Sequence, residues 1–198
     1  QQKQSWWSTS WKAHNTKNNI GQGEDYYPVW NDESIKIGGK RSIREHVGLL
    51  DSSLKKLTGK GVYERMGLSI MNDDADDDEA IATICKEVCW NRRYVLISHG
   101  TESNPIYNFG NKAALEAFVR TWDSLLELPS AQSVVLRSQD EVLRNKLMQQ
   151  VTEQGFVEGA SGIRVRGDRK FIQLVNAVVW NCHDDNTGDY IGQAALFD

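Results

Sequence analysis

Apolar positions are unevenly spaced along this chain, and their spacing divides it. From Ser42, Ile43, Val47, Leu50, Leu54 and Leu57 recur at intervals of four and three, which places them on one stripe of a helix over 42–58. Ser42 with Glu45 three positions on is a capping-box signature, and Gly59 and Gly61 end the helix. The stripe spans barely two heptads, so packing on its own domain is expected rather than a coiled-coil seam. A second helix is expected within 72–91, with Ile81, Ile84, Cys85 and Val88 forming its buried face.

From Tyr94 the pattern shortens. "YVLISHG" (94–100) and "PIYNFGN" (105–111) read as strands separated by Gly and Asn turns. "KAALEAFVRTWDSLLEL" (112–128) reads as one helix with Ala114, Phe118 and Trp122 on one face, ended by Pro129. "RSQDEVLRNKLMQQVTEQG" (137–155) is a further helix, capped by Ser138 with Glu141 and closed by Gly155. Three strands follow at 156–167, 170–183 and 190–198, the first two joined by a turn around Gly167 and Asp168. Two strands, helices and three strands predict an α+β domain: a five-stranded antiparallel sheet with helices on one side.

Residues 1–41 read differently, as an extended arm ahead of a domain at 42–198, in which 42–91 supplies leading helices and 92–198 the core. Aliphatic residues are sparse in the arm, and no period of 3.6 or 2.0 persists. Four of the seven tryptophans fall there. Trp and Tyr anchor interfaces, so Trp6, Trp7, Trp11, Tyr26, Tyr27 and Trp30 are read as partner-binding residues. The surface they dock on is either a larger assembly or the chain's own domain.

Composition narrows the classes. Apolar residues make up 39% of the 198, enough for a core diluted by a polar segment. The formal net charge of −4 argues against a nucleic-acid partner. No run of about 18 apolar residues marks a membrane span. Three cysteines without framework spacing fit a reducing or indifferent compartment, so a secreted protein is not expected. The first residue is Gln1, so either a leader has been removed or the chain is part of a longer product.

Several motifs invite chemistry. The six acids of 73–79 lack the glycine and alternation of a calcium loop; they read as charge at a helix N-terminus. Of Cys85, Cys89, Cys182 and His183 only one pair has the spacing of a structural zinc site, and it is mid-helix rather than on a turn, so no metal is expected and the thiols read as buried small hydrophobes. Ser98 and His99 are neighbours on a strand and point to opposite faces, so they cannot act as nucleophile and base. No catalytic residue is assigned. "GQG" and "GKG" do not sit between a strand and a helix as phosphate loops do. Arg164, Arg166, Arg169 and Lys170 gather at a hairpin tip, with Ile163 and Val165 expected to face the core.

The stretches "SHGTESNPIYNFGNKAALEAF", "MQQVTEQGF" and "SGIRVRGDRKFIQLVNAVVWN" resemble the MEKHLA domain, a PAS-like module of cyanobacterial and algal proteins that also closes class III homeodomain–leucine zipper factors of plants. The resemblance runs from about Ser42 to Asp198. It implies a PAS-like sheet and a sensory or protein-interaction role. No homeodomain or zipper is present, so the transcription-factor role does not transfer. PAS folds can hold cofactors, yet a thiol-linked flavin needs a cysteine on the helix over the sheet, and 112–155 contains none. No cofactor is expected.

Two functions follow. The first is a non-catalytic interaction subunit whose arm docks on protein partners in a larger complex. By family analogy that complex is photosynthetic, with the protein in the chloroplast stroma or cytoplasm, soluble or peripheral to a membrane complex. The alternative is a PAS-like sensor in which an apolar ligand enters a pocket around His99, Phe118, Trp122 and Trp180 and regulates a partner. Leu147 and Phe171 are also available to fill that space. A filled core favours the first function and a void the second.

Overall fold

A computed structural model describes residues 35–68, 77–135 and 138–198. The aromatics of the expected arm, Trp6, Trp7, Trp11, Tyr26, Tyr27 and Trp30, lie outside the described residues. β1 (Lys36–Ile37) and β2 (Arg41–Ser42) form a small antiparallel ladder. Ile37 is buried in the main core, so the last residues of the expected arm belong to the folded domain.

α1 (Ile43–Thr58) starts where the capping box places it. Glu45 N donates to Ser42 Oγ at 3.2 Å, and Ser42 N donates to Glu45 Oε2 at 2.6 Å. Gly59 ends the helix in the left-handed region, its N–H donating to the Lys55 carbonyl. Ile43, Val47, Leu50 and Leu54 are buried along the expected stripe. After α2 (Val62–Arg65) comes α3 (Asp77–Trp90), which buries Ile84, Cys85, Val88 and Cys89. Ile81, expected on that face, is 38% exposed, because only the last turns of α3 are enclosed.

The main sheet holds β3 (Val95–His99), β4 (Tyr107–Gly110), β5 (Phe156–Val165), β6 (Phe171–His183) and β7 (Tyr190–Phe197). Its order is β4-β3-β7-β6-β5, antiparallel throughout. This is the five-stranded antiparallel sheet expected of a PAS-like domain. The segment expected as one helix over 112–128 is two, α4 (Lys112–Phe118) and α5 (Trp122–Leu126). Val119 breaks it at φ 52°, and a capping box between Thr121 and Ser124 starts the next turn. The carbonyl of Phe118 then accepts from Gly167 N at 2.8 Å, which ties the β5–β6 turn to the break. A 3₁₀ turn (Ser130–Ser133) leads to α6 (Ser138–Gln154), closed by Gly155 as expected.

Alternation sorts the sheet residues into two faces. Leu96, Ser98, Val178, Trp180, Cys182, Ala194 and Leu196 share the outer face by register. α1 covers them, reaching Ser98 through His46 and His183 through Ser53. α4 and α6 close the other face, where the cavity described below lies. Burying Trp180 completely contributes about 4–6 kcal/mol from its area alone.

Asn111 holds three elements together. It is fully buried, and its Oδ1 accepts from Leu96 N (3.0 Å) and Ala114 N (3.1 Å). Its Nδ2 donates to Val88 O (3.1 Å) and Tyr94 O (2.8 Å). One side chain therefore caps α4 and anchors the end of α3 to the start of β3, with its four ordinary bonds made.

Candidate functional site

The inner face of the sheet lines a cavity of about 80 Å³. Register sets its floor: Ile97 opposite Ala195, His99 opposite Gln193 and Val179 opposite Ala195. Leu147 and Met148 of α6 form its roof, with Phe118 of α4 and Tyr107 of β4 on one side. Tyr107 Oη lies 2.9 Å from Ser133 Oγ, so the polar end of that ring is satisfied outside the apolar lining. The lining is mostly apolar, with His99, Gln193, Ser130 and Arg164 at its polar edges.

Of the four residues expected around a pocket, the structure brings two together. His99 and Phe118 line the cavity. Trp122 packs instead edge-on against Phe109, ring centroids 6.1 Å apart. Trp180 lies on the outer face beneath α1, where alternation from Val179 carries it. Leu147 lines the cavity, but Phe171 is 60% exposed and fills nothing.

The expected basic tip is not one patch. Arg164 pairs with Ile172 and shares a face with Gly162 and Leu174, so it points to the cavity side while Ile163 and Val165 take the other face. Two register shifts in the β5–β6 ladder cause this. Gly159 (φ 71°) and Asn176 (φ 53°) stand at the irregularities, so simple alternation counted from the core residues fails. Arg166 pairs with Asp168 at 3.1 Å. Arg169 and Lys170 are exposed in the turn.

A polar chain crosses the outer face. Ser98 Oγ donates to Asn108 Oδ1 at 2.6 Å and lies 2.9 Å from His46 Nε2. With the serine proton committed to Asn108, Nε2 is the donor and Nδ1, buried, has no partner. Burial, with a smaller push from Arg41, lowers the His46 pKa to about 3. Such an imidazole is a poor base near neutrality, and Ser98 is itself buried. The sequence reading missed this pairing because 52 positions separate the two residues. The three cysteines are buried, and burial pushes the Cys182 thiol up.

A wider hollow of about 520 Å³ lies between the β1–β2 ladder, the start of α1 and the loops after β3 and β6. Its charges are mixed, and Arg41 is already paired with Asp184 at 2.7 Å. Among the described residues no cluster of metal-ligating side chains is present, and no helix is long and apolar enough to cross a membrane.

The antiparallel sheet, with α1 over its outer face, α4 and α6 over the other and the cavity beneath α6, defines an α+β domain of PAS-like build. The family model of the MEKHLA domain matches residues 44–198, and the chain belongs to that family. No curated protein matches the chain. Among solved structures it is similar to the PAS domain of a protein from Colwellia psychrerythraea, at 10% identity and a TM-score of 0.48, over 60% of this chain and 95% of that one. It is also similar to the LOV domain of a blue-light-activated histidine kinase from Erythrobacter litoralis, at 11% identity and a TM-score of 0.43, over 53% of this chain and 94% of that one. The light-state dimer of the fungal blue-light photoreceptor Vivid matches at 10% identity and a TM-score of 0.42, over 52% of this chain and 75% of that one. Likeness at this level does not say what the present chain binds.

A thiol-linked flavin does not fit the residues present. Cys85 and Cys89 lie on α3 and Cys182 on the outer face, away from the cavity. The cavity is also well below the ~300–1,000 Å³ usual for cofactor-sized ligands.

Proposed function

We propose that this MEKHLA domain is a non-catalytic sensor module. A small, mostly apolar molecule occupies the cavity between the sheet and α6, and its presence is relayed to a protein partner. The cavity carries the reading: a well-filled core would have left no space between Val179, Ala195, Phe118 and Leu147, and the void is there. α6 is the element best placed to respond, since Leu147 and Met148 meet the cavity while Val151 O accepts from Asn181 Nδ2 of β6 at 3.1 Å.

The role as accessory subunit or linker of a photosynthetic complex rests on the aromatic arm, whose anchors lie outside the described residues. A chloroplast address has the same footing. The sensor reading has the cavity behind it and is the stronger of the two. It is tested by thermal unfolding with and without hexan-1-ol, for the wild type and for Ala195→Leu, which fills the floor. The expected result is a rise in Tm for the wild type that the variant lacks. No rise, or the same rise in both, refutes the proposal.

A further inference from the structure

Arg164 is the one strongly polar feature of the cavity that the fold does not explain. It lies on β5 with its side chain on the cavity face, half-buried. The guanidinium folds back along the strand, Nη1 donating to the Ile163 carbonyl at 3.2 Å. It lies over Gly162: a Cβ added to that glycine would stand 3.2 Å from Nη1. The missing side chain at 162 therefore makes the space in which the guanidinium rests.

Among the described residues no carboxylate pairs with Arg164, although nearby Arg166 has Asp168 and Arg65 has Glu158 on the same strand. Of five guanidinium N–H groups, one is used by a local carbonyl. Arg164 lines the same cavity as Leu174, Leu147 and Met148, and its remaining N–H groups are donors that a ligand's acceptor can meet. An anion arriving with the ligand supplies the missing partner, in a planar geometry that suits a carboxylate.

We infer that the cavity takes a short apolar carboxylate, its hydrocarbon chain between Val179, Ala195 and Leu147 and its carboxylate on the Arg164 guanidinium. The inference rests on the sensor reading and names the ligand class for it. Size agrees. At about 10–15 Å³ per water, the 80 Å³ holds roughly six waters, near 180 Å³ of liquid, which matches a chain of about six carbons.

The test compares hexanoate with hexanamide, its uncharged isostere, by calorimetric titration of the full chain. The wild type is expected to bind hexanoate roughly tenfold or more tightly than hexanamide, as a charge-assisted bond implies. Arg164→Gln should bring hexanoate down to the level of hexanamide and leave hexanamide unchanged; Arg164→Lys should keep part of the preference. Circular dichroism melts of both variants check folding, and because the Arg164 side chain bonds only a carbonyl of its own strand no large loss is expected. Equal affinity for acid and amide in the wild type, or a preference that survives Arg164→Gln, overturns the inference and leaves the cavity reading standing. Binding of neither probe overturns both.

Discussion

Acidification should destabilise this fold through His46, and the size of the effect follows from its surroundings. The imidazole is buried between α1 and the sheet, 5.7 Å from the Phe109 ring, with Nδ1 unpartnered. Unfolded, it takes up a proton at its ordinary 6.5; folded, it refuses the proton until about 3. Between those values the unfolded chain binds one proton more, so stability falls as pH falls through that window. The slope is about 1.4 kcal/mol per pH unit once the unfolded imidazole is charged. From about pH 7.5 to about pH 5.0 the loss from this residue is about 2 kcal/mol. The assay is urea unfolding at a series of pH values, for the wild type and for His46→Leu. The variant has its own baseline stability, so only the difference in slope is read. The wild-type curve should drop more steeply below about pH 6.5, by about 1.4 kcal/mol per unit. Parallel curves would show that His46 is solvated or paired in the fold and would refute the reasoning.

Other positions give sharper structural tests. Asn111→Ala strands the Leu96 and Ala114 N–H groups and the Tyr94 carbonyl, leaves the Val88 carbonyl only its bond from Asn91 N, and should cost at least about 3 kcal/mol in urea unfolding. Gly192→Ala should abolish folding or cost several kcal/mol by the same assay, since a Cβ there would collide with the His99 carbonyl at a φ of 136°. Val119→Gly should stabilise by about 1 kcal/mol, because a β-branched residue is held at φ 52° while 42% exposed. Ser42→Ala should cost about 1 kcal/mol by removing the side-chain half of the α1 cap.

Local signals carried most of the architecture. The capping box at Ser42, the glycines after α1 and α6 and the short apolar runs of β3, β4 and β7 depend on residues within a few positions, and each element stands where that pattern puts it. Non-local packing hid the rest. The stripe of Ala114, Phe118 and Trp122 is buried, yet the helix breaks at Val119, because the Phe118 carbonyl meets the β5–β6 turn from 49 positions away. Thr121 with Ser124 was a legible restart signal that an unbroken apolar stripe obscured. Arg164 was assigned the wrong face because strict alternation ignores bulges; Gly159 within "EGASG" was the available hint. The His46–Ser98 pair had no local signature. Even so, the expectation that His99 and Phe118 would meet at a pocket followed from correct placement of β3 and α4.

That the space between the sheet and α6 receives a ligand is open to direct measurement. Methyl-labelled NMR spectra of the full chain, recorded while hexanoate is added, test it most directly. Saturable shifts are expected, concentrated on Ile97, Leu147, Val179 and Ala195, with methyls beneath α1 such as Val47 and Leu50 unmoved. Shifts that are absent, or that spread over the outer face while the cavity methyls stay still, would contradict it.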